Sequence, residues 1–173
     1  AGYASDMCGY HRAVAGAEAA KMMPIPDILI GTSCPCSAGQ GTLEDMARKM
    51  DREIVMLHVP QEESAESVTY LVEQLQAMID RIEELSGRKL TPEALAHTME
   101  LSNATVALME EVFELASEVP SPTSSNELKD FGVALPLLLG RPEALEVAQL
   151  YRDTFKERVD AGNGNGRSEE RVR

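Results

Sequence analysis

Apolar positions change their period along the chain, and that change divides it in two. Ser5 and Asp6 can each cap a helix beginning near Met7, which runs through an Ala-rich stretch to Met23, where Pro24 and Pro26 stop it. Residues 27–32 then form a short, almost wholly apolar run, the pattern of a strand buried on both faces in a parallel sheet. Behind it, Ser37 and Gln40 stand at capping-box spacing, and Leu43, Met46, Ala47 and Met50 supply one apolar face of a second helix. Residues 53–60 repeat the buried-strand pattern. Helix, strand, helix, strand at this spacing predicts an α/β body whose parallel strands are joined by crossovers.

From Ser64 onward the period is helical. Val68, Leu71, Val72, Leu75, Ile79 and Ile82 recur on one face, and Gly87 stands where a C-terminal cap belongs. Thr91-Pro92 restarts the chain with a cap and a first-turn proline, and the face Leu95, Met99, Ser102, Val106, Met109, Phe113 and Ala116 predicts packing against the preceding helix. Ser124 and Glu127 make another capping box, and Pro142 opens a last helix carrying Leu145, Tyr151, Phe155 and Val159. We expect residues 1–63 to be the α/β part, 64–160 a helical part, and 161–173, with its Gly-Asn alternation, a flexible linker toward a further C-terminal domain. Because the chain starts at Ala1 with helix signals at once, it reads as a piece of a longer protein.

Charge narrows the partners. Sixteen Lys and Arg against 29 Asp and Glu give a net charge of -13, a field that repels phosphate backbones and anionic lipid, so neither nucleic acid nor a membrane is expected as a partner. The apolar run from Val133 to Leu139 contains Pro136 and is far shorter than the ~20 residues of a membrane helix. Three cysteines are an odd number with no secretory framework around them, which predicts reduced thiols and a cytoplasmic location.

Those cysteines carry the candidate chemistry. Cys34 and Cys36 fall between a strand end and a helix start, where open parallel sheets bind ligands and where backbone N–H groups favour a thiolate. Cys8 sits in the first turn of its own helix. Two such helix starts at one end of a sheet suit a soft metal or an iron–sulfur cluster. The rivals are ordinary packing thiols and a zinc site of Cys8, His11, Cys34 and Cys36. His58, inside an apolar strand, reads as a hydrogen-bonded core residue, and His97 as part of a solvated helix face. Ser37-Ala38-Gly39-Gln40-Gly41 has two glycines but no Walker lysine and no G-x-G-x-x-G, so nucleotide binding is not supported.

Three segments add a resemblance. Ser5-Asp6-Met7-Cys8-Gly9-Tyr10-His11-Arg12, Pro26-Asp27-Ile28-Leu29-Ile30-Gly31-Thr32, and the stretch from Cys36-Ser37-Ala38-Gly39-Gln40-Gly41 to Arg48 are similar to the 2-hydroxyacyl-CoA dehydratase family, which includes the 2-hydroxyglutaryl-CoA dehydratase D-component and benzoyl-CoA reductase subunits. Gly87-Arg88-Lys89-Leu90-Thr91 and Glu100-Leu101-Ser102-Asn103 continue the likeness.

The resemblance implies a partial Rossmann-like sheet followed by a helical segment, and the central part of a subunit that holds a 4Fe-4S cluster. The activity implied is that of a lyase, removing water from a 2-hydroxyacyl-CoA thioester through a ketyl radical. It further implies a heterodimer with a second dehydratase subunit, an ATP-dependent activator iron–sulfur protein as electron donor, and a place in anaerobic metabolism. Cys8 and Cys36 match family cysteines, Cys34 is a third candidate ligand, and a further ligand is expected upstream, so the piece alone would be inactive. Ser37 where relatives often carry Asp, and Gly41 and Thr42 where they carry a lysine and an aromatic, leave open the benzoyl-CoA reductase branch and a cluster-free interaction domain of the same fold.

Overall fold

The computed structural model describes residues 5–34 and 36–164, so most of the expected linker, from 165 onward, lies outside the described residues. The chain is mostly helical, with one small parallel sheet, and divides into two compact units between Lys89 and Leu90.

The first unit contains helix α1 (Gly9–Ala19), strand β1 (Ile28–Thr32), helix α2 (Ser37–Met50), strand β2 (Glu53–Leu57) and helix α3 (Ala65–Ser86). The strands pair in parallel, in a register that sets Ile28 against Glu53 and Thr32 against Leu57. Ser33 prolongs the ladder, donating its N–H to Leu57 O at 2.9 Å while its Oγ accepts from Val59 N at 3.0 Å. Leu29, Met46 and Ala47 form the core, with Val14, Leu43, Met50 and Ile54 packed around them. Helices α1 and α2 thus both contribute to the Leu29 face, and because side chains alternate across a strand, Ile30 on the other face stays 43% exposed. This corrects the expectation of a strand buried on both faces: Leu29 and Gly31 are buried, and their neighbours are not.

Helix α1 is shorter than its apolar pattern suggests. It starts after Cys8 and not near Met7, and it ends at Ala19, four residues before the expected stop. Lys21 adopts a left-handed φ of 55°, Lys21 N donates to Glu18 O at 2.8 Å and Met22 N to Ala17 O at 2.9 Å. This pair of bonds closes the helix before either proline acts. Asp51, at φ 52°, ends α2 in the same way. Helix α3 packs along β2 and belongs with the sheet, beyond the boundary expected at residue 63. Ser64 caps it, accepting from Ser67 N at 3.1 Å; Gly87 closes it at φ 67°; and Arg81 reaches Glu53 on β2 at 2.7 Å.

The second unit contains α4 (Pro92–Leu115), α5 (Ser125–Ala134), a short 3-10 turn (Leu135–Leu138) and α6 (Pro142–Asp160). Thr91 caps α4 and Pro92 opens it, as the sequence pattern predicts. Its helix partner within the unit is α6, across a core of Val112, Phe131, Leu135, Ala144, Ala148 and Phe155. The buried face of α4 runs through Thr105 and Val112, while Leu95, Met99, Val106 and Phe113 of the expected face stay exposed. The Thr105 hydroxyl is satisfied by Leu101 O at 2.8 Å, so the helix buries it without an orphaned donor. At the foot of α5, Ser124 accepts from Glu127 N, but the Glu127 carboxylate does not turn back to complete a box. It accepts instead from Arg158 Nη1 and from Thr123 Oγ1, each at 3.1 Å, tying α6 to the start of α5.

Candidate functional site at two cysteine-bearing helix starts

The candidate residues collect at the carboxyl end of the sheet, and the chain's local geometry explains why. Strand β1 runs into α2 through Cys34 and Cys36, and Cys36, in extended conformation, is the residue that precedes the first helical turn. Helix α2 therefore begins at Ser37, which cannot be its cap. The Gln40 side chain runs along the helix to Glu44 at 3.2 Å in place of the expected capping box. Gly39 N and Gln40 N donate to Cys36 O at 3.1 and 3.3 Å. Cys8 holds the corresponding position on α1, and neither cysteine side chain caps its helix. A thiol accepts hydrogen bonds weakly, so both sulfurs are left for other partners.

Two contacts fix how α1 lies on α2. At their starts, His11 Nε2 lies 3.7 Å from Cys36 Sγ; at their ends, Glu18 lies 3.9 Å from Lys49. The helices are thus parallel, and both begin at the end of the sheet where the strands finish. Their dipoles add positive potential there. The His11 ring lies against Gly39, where a Cβ would meet Cε1 at 3.1 Å, and Tyr10 meets the ring edge-on at 5.8 Å between centroids.

All three thiols, Cys8, Cys34 and Cys36, are exposed, which disfavours the packing-thiol alternative. The Cys34 carbonyl accepts from the Thr32 hydroxyl, pinning the loop between strand and helix. His58 departs from expectation. It lies one residue past β2 with its side chain exposed, and Gln74 of α3 holds its backbone, accepting from His58 N at 2.7 Å and donating to His58 O at 3.0 Å. The apolar run ends in a turn there, so a histidine read as core sits at the open end of the sheet. His97 is exposed on α4, as expected. The residues alone bring His11 and Cys36 together only within the rival zinc set; the direct pairing of the two, without Cys8 or Cys34, comes from the structure, and the missing side chain at Gly39 makes room for it.

The family described as 2-hydroxyglutaryl-CoA dehydratase, D-component, matches residues 1–173. The chain belongs to this family. It is 24% identical to the (R)-phenyllactyl-CoA dehydratase alpha subunit of Clostridium sporogenes, covering 99% of this chain and 44% of that protein. It is 26% identical to the (R)-2-hydroxyisocaproyl-CoA dehydratase alpha subunit of Clostridioides difficile, covering 99% and 45%. To the (R)-2-hydroxyglutaryl-CoA dehydratase subunit alpha of Acidaminococcus fermentans it is 25% identical over 144 residues, 81% of this chain and 30% of that one. The chain spans less than half the length of these relatives.

Set against an iron–sulfur cluster, the donor chemistry of this D-component chain fits: soft sulfur, exposed, at helix starts whose N–H groups favour an anionic group. The number of donors is smaller than a cluster needs. Among the described residues no three Cys, His, Asp or Glu side chains are gathered closely enough to hold a metal ion, so the rival four-residue zinc site is not assembled either. Among the described residues no helix is long and apolar enough to cross a membrane.

Proposed function

We propose that this chain is the central part of a 2-hydroxyacyl-CoA dehydratase subunit, and that its α/β unit is part of a larger Rossmann-like body. In this reading Cys8 and Cys36, with Cys34 as the third candidate, are the sulfur donors the chain contributes to a 4Fe-4S cluster, and further ligands come from sequence outside it. The whole enzyme is a cytoplasmic lyase, a heterodimer with a second dehydratase subunit, charged by an ATP-dependent activator and acting on a 2-hydroxyacyl-CoA thioester. The observation that carries the reading is the parallel seating of α1 on α2, which brings two cysteine-bearing helix starts to one end of the sheet.

When bound, a thiolate-held cluster supplies single electrons at potentials reaching down to about -700 mV. One electron added to the thioester carbonyl gives a ketyl, which expels the neighbouring hydroxyl as hydroxide; loss of a proton from the next carbon and return of the electron then leave the unsaturated thioester. The net change is loss of water, so the electron is not consumed. The chain's own residues do the holding. The uncapped helix starts present sulfur beside backbone N–H groups that stabilise negative charge, and the Gln74 clamp keeps the β2 end rigid. Because those N–H groups also make reduction easier, a strongly reducing cluster here needs exclusion of water by the rest of the subunit or its partner.

That no three ligating side chains are gathered among the described residues favours a second reading, a cluster-free interaction domain of the same fold. Anaerobic reconstitution of the full-length subunit with iron and sulfide separates the two. We expect a brown protein with broad visible absorption, turning over a 2-hydroxyacyl-CoA once its partner and activator are added, with iron lost in Cys8→Ser and in Cys36→Ser. Colourless, iron-free protein after reconstitution overturns the dehydratase reading for this chain and supports the second.

A further inference from the structure

We propose that His11 is a positioning residue for Cys36, donating a hydrogen bond from Nε2 to Sγ and so tuning the potential of the iron that this sulfur binds. The inference rests on Cys36 being a ligand, as argued above, and adds a role for a side chain that supplies no ligand itself.

Three observations converge on it. First, the 3.7 Å separation of His11 Nε2 and Cys36 Sγ suits a hydrogen bond to sulfur, whose radius makes such bonds longer than those to oxygen. Second, the ring is seated by the backbone of the neighbouring helix. A Cβ at Gly39 would stand 3.1 Å from Cε1 and 3.5 Å from Nε2, so the imidazole lies on the first turn of α2 closer than an alanine methyl would allow without the ring shifting by a few tenths of an ångström. Third, Cys36 is exposed and makes no capping bond, so its sulfur has several rotamers open to it, and His11 is the group that favours one of them. Gln40, the other long polar side chain in that turn, is engaged by Glu44 and does not compete.

A donor to a ligating sulfur withdraws electron density from it and stabilises the more negative, reduced form, and hydrogen bonds to sulfur are among the main settings of cluster potential. Removing the donor therefore lowers the potential without removing a ligand.

The test uses the full-length subunit, reconstituted anaerobically with iron and sulfide, as wild type and as His11→Leu, His11→Gln and Gly39→Ala. Iron content is measured, the midpoint potential is read by dye-mediated titration followed by electron paramagnetic resonance, and pulsed resonance reports nitrogen coupling. The expected result is wild-type iron in all variants, a potential shifted downward in His11→Leu, and a smaller shift in His11→Gln, whose amide still donates. Gly39→Ala, which keeps the histidine and displaces its ring, should shift the potential in the same direction as His11→Leu, and it serves as the independent perturbation if His11→Leu folds poorly. Unchanged potentials in His11→Leu and Gly39→Ala overturn the proposal. So does a nitrogen coupling strong enough to mean direct ligation, since a tetrahedral ion would also set the two atoms about 3.6 Å apart. If instead Cys36→Ser keeps wild-type iron and potential, Cys36 is not a ligand, and the failure lies in the ligand assignment and overturns the proposal with it.

Discussion

Replacing Gly31 by alanine and then by valine tests whether close packing of α2 on β1 sets the position of the cysteine-bearing helix start. A Cβ at residue 31 would stand 2.8 Å from Leu43 Cδ1, 3.1 Å from Met56 Cε and 3.2 Å from Met56 Sδ. All three are ends of flexible side chains, so alanine can be admitted if Leu43 and Met56 swing aside. Glycine within a strand also forfeits about 0.5–1 kcal/mol relative to alanine through its greater freedom in the unfolded chain. These effects oppose each other, and Gly31→Ala should change stability by no more than about 1 kcal/mol. Valine adds two methyl groups in the same slot, where α2 and β2 close in from two sides. Overpacking of that kind costs about 1–3 kcal/mol, more than a strand preference of up to ~1 kcal/mol restores. With a urea dependence of about 1–3 kcal/mol per molar, a net loss near 1 kcal/mol lowers the unfolding midpoint by roughly 0.5 M. Urea titration followed by far-ultraviolet circular dichroism reads this directly. A valine variant with the parent's midpoint, or an alanine variant less stable than the valine one, would refute the reasoning.

Other sites give sharper single outcomes. Phe155, fully buried between Tyr151 and Arg158, should lose about 3–5 kcal/mol on truncation to alanine, while Leu137→Ala, at a 79% exposed position, stays within about 0.5 kcal/mol; equal urea midpoints for the two variants would contradict the described core. Ellman's reagent should titrate all three thiols of the metal-free folded chain, with no further thiols released by denaturant; a rise on unfolding means that one is covered. Cys36→Ser, which supplies a good cap to α2, should stabilise the metal-free chain by about 0.5–1 kcal/mol in the same urea titration, and a loss would mean that the thiol's contact with His11 outweighs capping. Arg141 forks onto Glu143 and holds its carboxyl below the ordinary value, so this bond contributes above the ordinary carboxylate range and is lost as pH falls through the lowered value. The stability gap between Arg141→Gln and the parent should therefore close on acidification, and a gap that widens toward low pH would count against it.

How much of this was legible in the residues depended on whether a local signal had a competitor. Thr91-Pro92, Ser64, Gly87 and Pro142 specify helix ends through the backbone alone, and the ends fall where those residues predict. Helix α1 was misread at its end because the prolines masked an earlier stop: Lys21 and Asp51 take left-handed conformations that a scan for glycine misses. The buried faces of β1 and α4 were misread for another reason. Both apolar patterns are real, but a pattern states only which positions can be buried, and packing uses a subset, leaving Ile30 and Met99 exposed. His58 illustrates the same limit, since an apolar run does not say at which residue the ladder stops.

The two cysteine-bearing helix starts differ from most of the others in how they are capped. Helices α3, α4 and α5 start with Ser64, Thr91 and Ser124, each accepting a backbone N–H, and α6 starts with Arg141, which engages Glu143. Helices α1 and α2 start with cysteines that cap nothing, and forgoing an oxygen cap costs roughly 1 kcal/mol at each. Helix α6 also lacks a side-chain cap, but only α1 and α2 forgo an oxygen cap at positions where an exposed sulfur stands. Stability given up at a pair of spatially related positions supports the site proposed there. That inference needed both halves: residue identity located the sulfurs, and only the seating of α1 on α2, through His11 and Gly39, put the two helix starts at one end of the sheet.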